Sequence, residues 1–132
     1  MIKNFFKRLY VKKQKQANEL EQATFSKQWN YLCSLWANEK LPSPYQELFT
    51  YDAAIQGEGH FLFFENNQSN LQAIMSVLIS ALPQNLKQNL EAAYSKYLKN
   101  LDDLFVHDEF YYQNEKSLLM ILEEYAKTIN NV

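Results

Sequence analysis

Residues 71–98 read LQAIMSVLISALPQNLKQNLEAAYSKYL, and this stretch decides the fold class. Leu71, Ile74, Met75, Leu78 and Leu82 recur at helical spacing. Pro83 interrupts, and Leu86, Leu90, Ala93, Tyr94, Tyr97 and Leu98 then resume the same period. Apolar residues three and four apart share one face of a helix, so the stretch predicts two amphipathic helices joined at a proline.

The same period extends outward. Phe25, Trp29, Leu32, Cys33 and Trp36 predict an earlier helix with one buried face. Leu41-Pro42-Ser43-Pro44 is a break. After it Ser43 and Gln46 have the spacing of a capping box, and Tyr45, Leu48, Phe49, Asp52 and Ile55 carry a helix that Gly57 is expected to end in a left-handed conformation. Gly57 to Asn66 holds both glycines of the chain and three of its nine Phe, which predicts a tight corner anchored by aromatics. Ser69 with Gln72 repeats the capping spacing before the quoted stretch. Beyond it, a short helix is expected around 101–106, then a turn. Asn114 is expected to cap a last helix that buries Leu118, Leu119, Leu122, Tyr125 and Ile129. Trp29, Trp36, Phe49, Leu78, Leu90 and Leu122 should share one core, with Cys33 as an inert packing residue. The chain therefore reads as all-α: a compact single-domain bundle of about five to six helices, with residues 1–40 as an N-terminal helical extension and 41–132 as the helical domain.

Composition agrees. The chain has 132 residues, 47% apolar and 21% charged, with two Gly and three Pro. So few breakers argue against a turn-rich β sandwich or barrel and against a glycine-rich phosphate loop. A single Cys excludes an internal disulfide and a cysteine-based zinc or iron–sulfur site. The basic N-terminus lacks the apolar core of a signal peptide, and apolar runs reach only four or five residues, as at Phe61 to Phe64. A cytoplasmic protein is the simplest reading.

Charge is distributed unevenly. Residues 1–16 carry Lys3, Lys7, Arg8, Lys12, Lys13 and Lys15 and no acid, so the net −2 of the chain hides +6 there and −8 in the remainder. Residues 1–22 read as a helix with Ile2, Phe5, Phe6, Leu9 and Tyr10 on one side. Docking on the domain is its default role; a membrane-surface helix or a helix for another chain are the alternatives. Residues 102–124 are the most acidic, with Asp102, Asp103, Asp108, Glu109, Glu115, Glu123 and Glu124 against Lys116 alone. Residues 41–132 hold 5 basic and 12 acidic side chains, a balance that repels phosphates and argues against direct nucleic-acid binding.

Catalytic patterns are sparse. There is no phosphate-loop, dinucleotide or nucleophile-elbow motif and no H-E-x-x-H. His60 with Glu58, or His107 with Asp108, could share a proton or bind a metal in principle, but no spacing supports either; His107 reads as a solvated loop residue and Asp102-Asp103 as a cap.

From Tyr45 to Ala126 the order of parts resembles the DNA-mimic-protein-like domains, small all-helical bacterial domains mostly without assigned function. The residues that carry the likeness are Tyr51-Asp52-Ala53-Ala54-Ile55-Gln56, then Gly57 and Gly59-His60, then Phe63-Phe64-Glu65-Asn66. The Leu71 to Leu82 helix, a Pro-initiated helix ending near Tyr94 to Tyr97, Leu101-Asp102-x-x-Phe105 and Glu124-Tyr125 complete it. The resemblance implies an all-helical fold and, from the member that gives the family its name, an acidic surface offered in place of DNA phosphates. Here Glu58 separates the two glycines.

The expectation is a non-enzymatic protein-interaction module that binds a protein partner, with its acidic surface as the candidate contact, homodimerisation included as a possibility, and without metal or cofactor. Glu58, His60, Asp102, Asp103, Asp108, Glu109 and Glu115 are the candidate contact residues. An enzyme using His60 or His107 with a neighbouring carboxylate, or a membrane-peripheral protein held by residues 1–16, are the alternatives.

Overall fold

A computed structural model describes residues 19–130; the basic amphipathic stretch at 1–16 lies outside the described residues. Seven α-helices follow one another there: α1 Glu19–Ala37, α2 Tyr45–Gly57, α3 Gly59–Asn66, α4 Leu71–Ala81, α5 Gln84–Leu98, α6 Phe105–Asn114 and α7 Lys116–Ala126, with a 3-10 turn Gln68–Asn70 before α4. No strand occurs among the described residues. The architecture is the expected all-α bundle, with one helix more than the upper expectation.

Helix α2 is the centre. Leu48, Phe49, Tyr51, Asp52, Ala53 and Ile55 are all buried, so apolar and polar faces alike meet protein. It packs against α3, α4, α6 and α7, while α5 closes on α6, α3 and α4, and α1 lies along α7. Phe25, Trp29, Leu32 and Cys33 of α1 belong to the same core as Phe49, Leu78, Leu90 and Leu122. Trp36 differs from the expectation in being only partly buried: its ring stacks on Phe49 at 4.3 Å between centroids, and its Nε1–H donates to Thr50 Oγ1 at 2.9 Å near the surface.

The expected side-chain caps do not form, each for an identifiable reason. Gln46 is engaged elsewhere: its Oε1 accepts from the Leu41 N–H at 3.1 Å and its Nε2 donates to the Trp36 carbonyl at 3.0 Å, lacing the end of α1 to α2. Ser43 donates instead to Glu47 at 3.0 Å. Ser69 falls inside the 3-10 turn, and α4 begins after Asn70 without a side-chain cap. Asn114 is the last residue of α6 and its amide donates back to the Phe110 carbonyl at 2.9 Å. Only Glu115, itself in helical conformation, separates α6 from α7, so there is no frayed helix start for Asn114 to cap.

Two helices end in a turn that the sequence did not announce. After α1, Lys40 N–H bonds Leu35 C=O at 2.7 Å and Glu39 N–H bonds Trp36 C=O at 3.0 Å, with Glu39 at φ 56°. After α5, Leu101 N–H bonds Lys96 C=O and Asn100 N–H bonds Tyr97 C=O, both at 3.0 Å, with Asn100 at φ 58°. Both are Schellman closures, which satisfy the last carbonyls of a helix through one left-handed residue. The second one overturns the expected helix around 101–106. The chain reverses at Asn100, Leu101 to Leu104 are non-helical, and a ten-residue helix starts at Phe105.

Gly57 is likewise corrected. It is the helical last residue of α2, and the left-handed glycine is Gly59, at φ 86°.

Candidate functional site

The corner between α2 and α3 meets α6 in a chain of buried polar groups. Asp108 Oδ1 accepts the His60 backbone N–H at 2.9 Å and lies 2.6 Å from His60 Nδ1. His60 Nε2 lies 2.7 Å from Tyr51 Oη. Because the carboxylate accepts, Nδ1 carries the proton and Nε2 accepts from the Tyr51 hydroxyl. The order resembles a catalytic relay, Asp to His to hydroxyl, yet its hydroxyl end is closed off. Tyr51 and His60 are both 0% exposed, and the Tyr51 ring meets Phe63 and Tyr111 edge-on at 5.3 and 5.4 Å. Burial, with the charges of Asp108 and Asp52, pushes the Tyr51 hydroxyl well above its usual pKa, so it keeps its proton. For Asp108, burial raises the pKa, but hydrogen bonds from the His60 ring and backbone outweigh it and hold the carboxyl below its usual range.

A second set adjoins the first. Tyr111 donates to Asp52, and Gln56 Nε2 reaches Asp52 Oδ1 at 3.3 Å and Glu115 Oε2 at 2.7 Å. Burial, then Asp52, drives Tyr111 far above its usual pKa. These contacts tie α2 to the α6–α7 junction. His107 stands on α6 rather than in a loop. Asn89 donates to the His107 carbonyl at 2.9 Å, which leaves Asn89 Oδ1 to accept from Nδ1–H at 2.8 Å. His107 Nε2 is buried without a hydrogen-bond partner among the described residues. Burial first, and the Lys96 charge second, lower its pKa.

The seven candidate contact residues are therefore split. His60, at 0% exposure, and Glu115, at 8%, face the core and cannot form part of a surface contact. Asp108 is half-buried and committed to His60. Glu58, Asp102, Asp103 and Glu109 are exposed; Glu58 accepts from Asn66 at 3.1 Å and Asp103 pairs with Lys96 at 3.3 Å. Glu123 is buried as well, so the acids of 102–124 do not make one outward face. Burial pushes the Cys33 thiol far up, as expected of a packing residue.

The open surface offers something the sequence did not single out. Phe61, Tyr97, Leu98 and Leu101 line a hollow of about 380 Å³, with Glu65 and Asp102 among its walls. Phe61, Leu98 and Leu101 are 50%, 62% and 50% exposed. A second hollow, about 700 Å³, shares Gln68, Tyr97 and Leu98 with the first, so the two form one groove along the end of α5. The Schellman closure after Leu98 is what turns Leu101 back into it. Tyr97 donates to Glu65, which fixes its ring beside Phe64 at 5.0 Å as the groove floor. Periodicity marks Leu98 as a core position; in the structure it faces outward at the helix end.

Among the described residues no group of three His, Cys, Asp or Glu is arranged to hold a metal, and no helix is long and apolar enough to cross a membrane. Comparison with protein-family models, with curated proteins and with solved structures gives no match.

Proposed function

We propose that the protein is a cytoplasmic, non-enzymatic interaction module that binds a protein partner through the groove at the end of α5. One observation carries the reading: three large apolar side chains, Phe61, Leu98 and Leu101, stand at least half exposed around a single hollow. Isolated exposed hydrophobics are ordinary; adjoining ones with polar neighbours mark contact surfaces. The fate of His60 favours the same reading. A general base must reach a substrate proton, and both ring nitrogens of His60 are used inside the core. Kinship with the DNA-mimic-protein-like domains belongs to this proposal and rests on the residues quoted above; the inward turn of Glu115 and Glu123 favours an apolar groove over a broad acidic face as the contact.

The test is a comparison of proteins retained from a lysate of the native cell by the wild type, by Leu98→Ser/Leu101→Ser and by Met120→Ser. Met120 is 52% exposed on α7, in a different hollow. A partner kept by the wild type and Met120→Ser but lost by the double variant is expected. Identical retained sets would refute the reading.

A further inference from the structure

We infer that the groove receives a basic amphipathic helix of the partner protein. This rests on the interaction-module reading and adds the chemistry of what is bound. Phe61, Leu98 and Leu101 stand in the hollow beside two carboxylates. Glu65 and Asp102 line the hollow itself. Asp103 follows Asp102 in sequence. Two lysines lie on the same end of α5, Lys96 and Lys99, and Lys96 is held by Asp103 at 3.3 Å. Glu65 and Asp102 are thus the carboxylates in the lining of the two hollows, and no lysine or arginine is among the lining side chains.

The backbone of the bound segment is constrained too. No strand edge among the described residues is present to pair in register with the N–H and C=O groups of an extended peptide. A helix satisfies its own backbone and presents apolar side chains at i, i+3, i+4 and i+7, the pattern that fits a groove. Lysines or arginines flanking that stripe then meet Glu65 and Asp102. A nucleic acid or an anionic membrane would be repelled by the same carboxylates, and a second copy offering this face would bring two such pairs together.

The probe is a synthetic peptide of about 18 residues, long enough for a marginally stable helix, with leucines on one helical face and lysines elsewhere. Its control has the same composition in scrambled order. Binding to the full chain is followed by fluorescence anisotropy at low and high salt. The amphipathic peptide should bind and weaken with salt. Leu98→Ser/Leu101→Ser should weaken it by about tenfold or more, as expected for central apolar contacts, and Asp102→Asn by roughly twofold, as expected for a rim charge. No binding, equal binding of the scrambled peptide, or an unchanged affinity in the double-serine variant overturns the inference. So does self-association of the full chain that the double-serine variant abolishes, because the occupant is then a second copy. Failure here is separable from failure of the interaction reading: a groove-dependent partner that cross-links through an acidic or non-helical segment overturns the basic helix alone.

Discussion

Gly59 and Asp108 are fitted to each other: a Cβ built on Gly59 would lie 2.6 Å from Asp108 Oδ2, and Gly59 sits at φ 86°. Two separate requirements thus converge on one position. The corner needs a left-handed residue, and α6 needs to bring a carboxylate against the bare backbone before it can reach the His60 N–H and ring.

Gly59→Ala should therefore destabilise the protein by about 2–4 kcal/mol, combining left-handed strain with overpacking. Gly57→Ala, at an exposed helical position, should be neutral or stabilising by up to about 1 kcal/mol. Urea unfolding of the two variants side by side checks this; an equal effect at both positions would contradict the assignment of the corner to Gly59.

Tyr51→Phe leaves His60 Nε2 buried and without its donor, which should cost about 1–3 kcal/mol. Asp108→Asn weakens the other end of the same chain. If the three groups act as one unit, the double variant should lose less than the sum of the singles, with a coupling of about 0.5–2 kcal/mol. Strict additivity in a double-mutant cycle would show that the two hydrogen bonds are independent.

Acid should weaken the fold in two stages. The His107 pKa is lowered from 6.5 in the folded state, so the unfolded chain takes up the proton first as pH drops past that value, and stability begins to fall there. The Asp108 pKa is lowered from 3.8, so its contribution persists above that value and is lost as pH falls through the folded-state value. Urea midpoints measured from pH 8 to 3 should show both stages, and His107→Gln should flatten only the first. A midpoint that does not change between pH 7 and 5 in the wild type would refute the role of His107.

Cys33, at 7% exposure and with its thiol pKa pushed far up by burial, should react with an aromatic disulfide reagent only when the core opens. Its labelling rate should rise with urea in step with unfolding. Prompt labelling in native buffer would place α1 loosely on the core.

What could be read from the sequence, and what could not, divides along polarity. Helices α1, α4, α5 and α7 were legible because Trp29, Leu78, Leu90 and Leu122 repeat at helical spacing among polar neighbours. Helix α6 was hidden. Its inward positions are Asp108, Tyr111 and, at its end, Glu115, after Leu104. The period is helical, but two of the four side chains are acids, and the partners that make their burial tolerable come from Gln56 and His60, 59 and 48 residues away. His60 looked like a surface residue for the same reason: nothing local indicates that Tyr51 and Asp108 close on it. Both left-handed residues at helix ends, Glu39 and Asn100, lack the glycine that usually announces such a turn. The groove was illegible because an apolar residue at a helix terminus has the same spacing whether it points in or out.

The proton between His60 Nδ1 and Asp108 Oδ1, two atoms 2.6 Å apart at the contact of α3 with α6, has a use beyond holding the corner. A proton in so short a bond to a carboxylate resonates far downfield of the amide envelope, and shielded from water it exchanges only when its two helices separate. It is a built-in gauge of that one contact. Its exchange rate, followed during a titration with a candidate ligand, would report whether binding at the neighbouring groove tightens or loosens the corner, without a label and without a substitution.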